Sequence, residues 1–215
     1  MMKQVFAVVA LSVVLTSCGA TEVEPDASNT ETISPAQEGT DGVQATMETR
    51  DLSDGGTCTT GEEVIIGVDQ SSPVIDGECG VVTVLASEVT GNIAQAEQVV
   101  ILGEASTLLG ESWKEAVAEG AKSTMNVDDM GAVTVVGESS HVTTKTAGTM
   151  IVTGDDITVN ANDISSLIST GNSVKVVVSG EIGALEVLGD KGTYNWSNGV
   201  EKPDTDEGSN NTFVR

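Results

Sequence analysis

The chain has 215 residues, with 33 acids against 9 bases, a formal charge of −24, and only 2% aromatic residues. Such a balance disfavours nucleic acid and anionic membrane surfaces as partners, because phosphate binding needs the opposite sign. So few aromatic rings also argue against one compact globule and suit a stacked repeat with a core of Val, Ile, Leu and Ala.

Met1 to Gln4 carry one base, Lys3, and precede an apolar run from Val5 to Leu15. The run is too short to span a bilayer and fits the core of a secretion signal. It ends in Leu15-Thr16-Ser17-Cys18, which resembles the lipobox of bacterial lipoproteins. Residues 1–17 are therefore expected to be a signal peptide and Cys18 the lipid-attachment site, a membrane anchor that does not span. Gly19 follows in place of an aspartate that resembles an inner-membrane retention signal, so the outer membrane or cell surface of a bacterial envelope is the expected address. Residues 18–57 are dominated by acids, Thr, Ser, Gly and Pro, with Arg50 as their one base. That composition buries too little apolar surface to offset the entropy of ordering, so it reads as a disordered acidic tether.

From Cys58 to Arg215 a repeat takes over. Gly103, Gly120, Gly137, Gly154 and Gly171 stand 17 residues apart, Ala86 holds the place one period earlier, and Gly189 and Gly208 continue the series after small insertions. A fixed short period marks a repeat fold. Four residues before each glycine stand Val82, Val99, Ala116, Val133, Met150 and Leu167; two before it stand Val84, Ile101, Ala118, Val135, Val152 and Ser169. Residues two apart share one face of a strand, and a second inward column follows five residues after each glycine. The pattern predicts an all-β domain over 58–215, a parallel β-solenoid (β-helix) of about 17 residues per coil. Each coil is expected to hold two short strands separated by a turn at the glycine, where positive φ is anticipated. Seven or eight coils stacked about 4.8 Å apart would make a rod of roughly 35 Å.

The segment Glu111 to Lys122 has strong helix propensity. Gly120 nevertheless falls on the ruler and Ala116 and Ala118 in the inward columns, so a weak strand is expected there, with a short helix as the minor alternative. Trp113 shares a column with Ala96, Met130, Ala147 and Ile164 and is expected in the core. Cys58 and Cys79 are 21 residues apart, near one coil length, which suits a disulfide stapling the first coil in an oxidising envelope compartment. No further metal ligands cluster near that pair.

The flanking cysteines, the recurring Gly-x-x-x-Thr-apolar-x unit and the ending TYNWSNG…GSNNTFVR resemble the bacterial secreted and lipoprotein family called domain of unknown function 3060. The most specific part is Gly208 to Thr212; the middle coils lack most of the paired asparagines of the family pattern. The resemblance implies a β-solenoid in the cell envelope and no assigned activity.

Outward positions are the place to look for a site. Thr90, Thr107, Thr124, Thr158 and Thr193 form one column, interrupted by His141 and Lys175; Asn92, Asn126, Asn160 and Asn195 recur two residues later in alternate coils, with Leu109 and Val177 between. Rows of hydroxyls and amides can order water or meet sugar hydroxyls, and threonine rows on other solenoids resemble ice-binding faces. High β-propensity is the simpler account of the threonines. An enzyme reading would draw on Asp128-Asp129, Asp155-Asp156, Lys175 and His141, but no calcium-repeat spacing, nucleophile signature or phosphate loop accompanies them. The sequence thus points to a lipid-anchored, non-catalytic structural or binding module without cofactors. Its expected partners are the membrane through Cys18, with polysaccharide or another envelope protein, and not nucleic acid. A carbohydrate- or ice-binding ladder is the alternative, and a polysaccharide-active β-helix enzyme a poorer one.

Overall fold

The computed structural model describes residues 49–215, so the expected signal peptide, the expected lipid-attachment site Cys18 and the expected tether up to residue 48 lie outside it. Three short strands open the sheet: β1 (Arg50–Asp51), β2 (Gly56–Thr57) and β3 (Glu62–Ile66). Long strands follow, β4 (Val74–Val84), β5 (Thr90–Ile101), β6 (Thr107–Ala118), β7 (Thr124–Val135), β8 (His141–Val152), β9 (Thr158–Ser169) and β10 (Lys175–Val187). The sheet closes with β11 (Thr193–Gly199), β12 (Thr205–Asp206) and β13 (Thr212–Val214). The main path through this 13-stranded sheet runs β1-β3-β4 and then in chain order to β11 and β13. Every pairing is parallel, and the result is an all-β solenoid of about ten turns, roughly 17 residues apart.

The expected columns stack in register: Leu108 opposite Met125, Trp113 opposite Met130, Ala116 opposite Val133 and Ala118 opposite Val135. Within one coil Met125, Val127, Met130, Val133 and Val135 are all buried. Their spacing is two along the straight segments and three at two bends, so a single 12-residue strand wraps around two corners. The segments expected as two short strands, one after each glycine and one before the next, are therefore continuous. The third corner is the turn that begins at the glycine. There Ser106, Ser123 and Ser140 point inward and are fully buried, and hydrogen bonds satisfy them: Val89 N donates to Ser106 Oγ at 3.3 Å, and Ser123 N to Ser140 Oγ at 3.1 Å. On the outside of the same turn, carboxylates and amides cap the coil above. Asn172 N donates to Asp155 Oδ1 at 2.7 Å, Asp190 N to Asn172 Oδ1 at 3.1 Å, and Ser209 N to Asp190 Oδ1 at 2.7 Å.

The ruler glycines do not take positive φ. The left-handed position is two residues further on, held by Lys122 (φ 59), Ser139 (φ 57) and Asp156 (φ 58) among others. Glycine stands at the ruler because a Cβ on Gly137 would run into the carbonyl of Gly120 directly beneath it. The 111–122 segment is strand through Ala118, with Trp113 fully buried and its Nε1 donating to Ile93 O at 2.9 Å. Local helix propensity yields to register and burial.

The solenoid begins earlier than Cys58. Arg50 pairs with Val64 and Asp51 with Ile65, while Leu52 and Ser53 are buried, so residues 50–57 of the expected tether belong to the first coil. Cys58 and Cys79 are disulfide-bonded, with Cα atoms 5.1 Å apart. At the far end Tyr194 stacks on Phe213 at 5.5 Å and Trp196 meets the same ring edge-on at 6.4 Å. Tyr194 Oη donates to Ser169 Oγ at 2.7 Å, and Trp196 Nε1 to Val200 O at 2.8 Å. All strands pair among themselves, and one continuous core extends from Leu52 to Trp196, so residues 49–215 form a self-contained folding unit.

Candidate binding face

The threonine column is a true ladder. Thr90, Thr107 and Thr124 are register partners in succession, then come His141, Thr158, Lys175 and Thr193, and Thr212 extends it by one coil. Each sits at the start of its strand, where the inward neighbour, such as Leu108 or Met125, forces it outward. Rungs are about 4.8 Å apart along the stack.

Two residues along each strand, about 6.6 Å away, runs the second column. Asn92 pairs with Leu109, Leu109 with Asn126, Asn126 with Thr143, Thr143 with Asn160, and Asn160 with Val177. Val177 then pairs with Asn195 and Asn195 with Val214, while Val74 precedes Asn92. Asparagine thus alternates with an apolar residue or threonine, giving a repeat of about 10 Å, two rungs long. Val74 (56% exposed), Leu109 (46%), Val177 (48%) and Val214 (46%) are open to solvent, an unusual placement for large apolar side chains. The residues read first as interruptions are part of the pattern. Val74, Thr212 and Val214 were missed because the glycine ruler stops short of Val74 and insertions displace the last coil; Thr143 lies on the ruler but breaks the asparagine pattern.

These two columns carry no acid in a chain with 33 of them, and their one formal charge is Lys175. Asn126, Asn160 and Asn195 are exposed, Asn92 half-buried. Among the described residues no hydrogen bond engages the side chains of the ladder threonines or of these asparagines, whereas Thr144 and Thr146, further round the same coil, are bonded to backbone and to Asp129. Hydroxyls and amides in the ladder are left to water or to a ligand.

The groups of the enzyme reading do not converge. Asp128 is paired with Lys145 at 2.7 Å, and this contact holds the lysine's pKa above its usual value. Asp129 accepts from Thr146, and Asp155 caps Asn172. His141 and Lys175 belong to the threonine ladder, two coils apart. Among the described residues no three His, Cys, Asp or Glu side chains gather as a metal site would require.

No family model, curated protein or solved structure matches this chain.

Proposed function

We propose that the chain is a lipid-anchored bacterial envelope protein whose solenoid is a non-catalytic binding module, its contact surface being the Thr/Asn face. One observation carries this reading: two in-register outward columns, free of acids and of internal hydrogen bonds, on an otherwise strongly acidic rod. Hydroxyls, amides and small apolar groups at constant spacing suit a partner that is itself periodic, neutral and hydroxyl-rich, a polysaccharide or the surface of ice. Aromatic platforms are absent from this face, so affinity would come from many weak contacts added along the rod.

Attachment through Cys18 and an outer-membrane or cell-surface address rest on the lipobox. The resemblance of Gly208 to Thr212 to the domain of unknown function 3060 family supports the same address. Replacing Cys18 with alanine should move the protein from the membrane fraction to the soluble one. The binding claim is tested with residues 49–215 on a panel of envelope and environmental polysaccharides, with ice recrystallisation in parallel. Binding that disappears when Thr124, Asn126, Thr158 and Asn160 are replaced by lysine, with the circular dichroism spectrum intact, supports the reading; binding indifferent to those changes overturns it. A purely structural role is favoured by a clean negative across the panel.

A further inference from the structure

The solenoid has a second face poor in charge, made by the last third of each long strand. Its middle column runs through Thr83, Val100, Val117, Thr134, Ile151 and Ile168, register partners in succession and all half-buried. Ile65 continues the column at one end, after which it meets Asp51; Glu186 bounds it at the other. Along one flank stand Leu85 (50% exposed), Leu102 (41%), Val136 (45%) and Leu188 (40%). Over these coils the face carries no base and only Glu115, Glu119 and Glu186 as acids, although acids crowd the surface outside it and the Thr/Asn face. Apolar side chains in a row on a flat sheet edge-to-edge with solvent mark an interaction surface.

We infer that this face pairs with the same face of a second copy, the two rods lying antiparallel. Six facing coils about 4.8 Å apart and three columns about 6.6 Å apart offer roughly 600 Å² per copy, and about 1,200 Å² in total is the lower bound of a specific interface. A two-fold axis between the coils of Thr134 and Ile151 makes the face self-complementary. Thr134 then faces Ile151 of the other copy, and Leu102 faces Leu188. Glu115 and Glu119 fall opposite Ser166 and Thr170, the Ser166 hydroxyl placed to donate to Glu115, so no two acids meet. Glu186 comes opposite Val100 at the rim, where its carboxylate keeps water. Parallel sheets packed in this way keep their strands aligned at a separation of about 10 Å. The Thr/Asn face lies on a different part of each coil and stays outward, so a dimer would present two ladders.

Acidic surfaces surround the pairing face, so association strengthens as salt screens their repulsion. The test is sedimentation velocity of residues 49–215 from about 1 µM to about 1 mM, at low and high salt. The expected result is a dimer whose dissociation constant falls with salt, weakens at least tenfold in Ile151→Glu, and is unchanged in the ladder-face control Thr158→Glu. A monomer throughout the series overturns the inference, as does a dimer indifferent to Ile151→Glu in a variant with native circular dichroism. A monomer that binds neutral phosphatidylcholine vesicles through Leu85 and Leu102 would also overturn it and assign the face to lipid.

Discussion

Gly137→Ala separates two reasons for a glycine. The turn residue with positive φ is Ser139, so alanine at 137 meets no backbone strain of that kind. Its Cβ would instead stand 2.5 Å from Gly120 C and 2.9 Å from Ala121 N, where non-bonded atoms settle at about 3.5–4.0 Å. Relief requires the coil to lift locally by about 1 Å. Val136 N and Gly137 N both donate to Ala118 O, at 2.8 and 3.0 Å, and that lift takes both out of bonding range. Two bonds at a net value of about 1 kcal/mol each, with some of the overpacking relaxed, put the loss at about 2–4 kcal/mol. For a domain of this size that is a fall of about 5–15 °C in Tm. Ser139→Gly acts in the opposite sense: it removes the roughly 1–2 kcal/mol of a left-handed non-glycine residue and adds unfolded-state entropy of about 0.5–1 kcal/mol, ending near neutral. Thermal melts of residues 49–215 by circular dichroism compare the two. Gly137→Ala melting within a degree or two of the parent, or Ser139→Gly being the more damaging change, would refute the close-approach argument.

Trp113→Ala empties the largest fully buried side chain of the mid-solenoid and strips Ile93 O of a donor, so urea unfolding should show a loss of about 3–5 kcal/mol. Reducing Cys58–Cys79 reopens a loop spanning 21 residues and should cost about 3 kcal/mol, seen as a lower Tm in dithiothreitol that a Cys58→Ser/Cys79→Ser variant reproduces without reductant. Acid should also weaken the fold. Hydrogen bonds from Ser53 hold Asp51 below the usual carboxylate range, and those from Ser209 do the same for Asp190. A depressed carboxyl stabilises the fold above its unfolded pKa of about 4 and loses that contribution as pH falls through the lower folded value. The urea midpoint should therefore drop between pH 5 and pH 2.5 (approximate limits set by those values), and less so in Asp190→Asn, which keeps the Ser209 acceptor but cannot titrate. Equal acid sensitivity in the two proteins would remove Asp190 from the account.

Periodicity carries most of what the sequence discloses. The inward columns, the burial of Trp113 against local helix propensity, and the stacking of Cys58 near Cys79 all follow from one 17-residue ruler, because a parallel stack forces equivalent residues into contact. The reason for the glycines was not legible, since a residue lacking a Cβ looks the same whether it serves a positive φ or a close approach. The left-handed positions gave no warning, being occupied by Glu88, Ala105, Lys122, Ser139 and Asp156, which share no chemistry. Arg50 to Thr57 looked like tether because two-residue strands show no period and the acidic composition runs on without a break. On the candidate face the threonine ladder was visible, but Leu109 and Val177 looked like faults until Val74 and Val214, at the two ends of the same column, made the alternation whole.

The parallel stack also sets how the rod would yield to force. Backbone hydrogen bonds between coils lie along the stacking direction, so a load drawn from the N-terminal side pulls on them one after another rather than all together. Arg50 to Thr57 would come away first, and then the pull meets Cys58, whose bond to Cys79 shunts the strain past the enclosed loop directly into β4. Beyond it each released coil pays out 17 residues, about 55 Å of slack, at nearly constant tension. Such a molecule lengthens in equal increments and rewinds from whatever coils remain, behaving as a spring with a covalent stop near its loaded end.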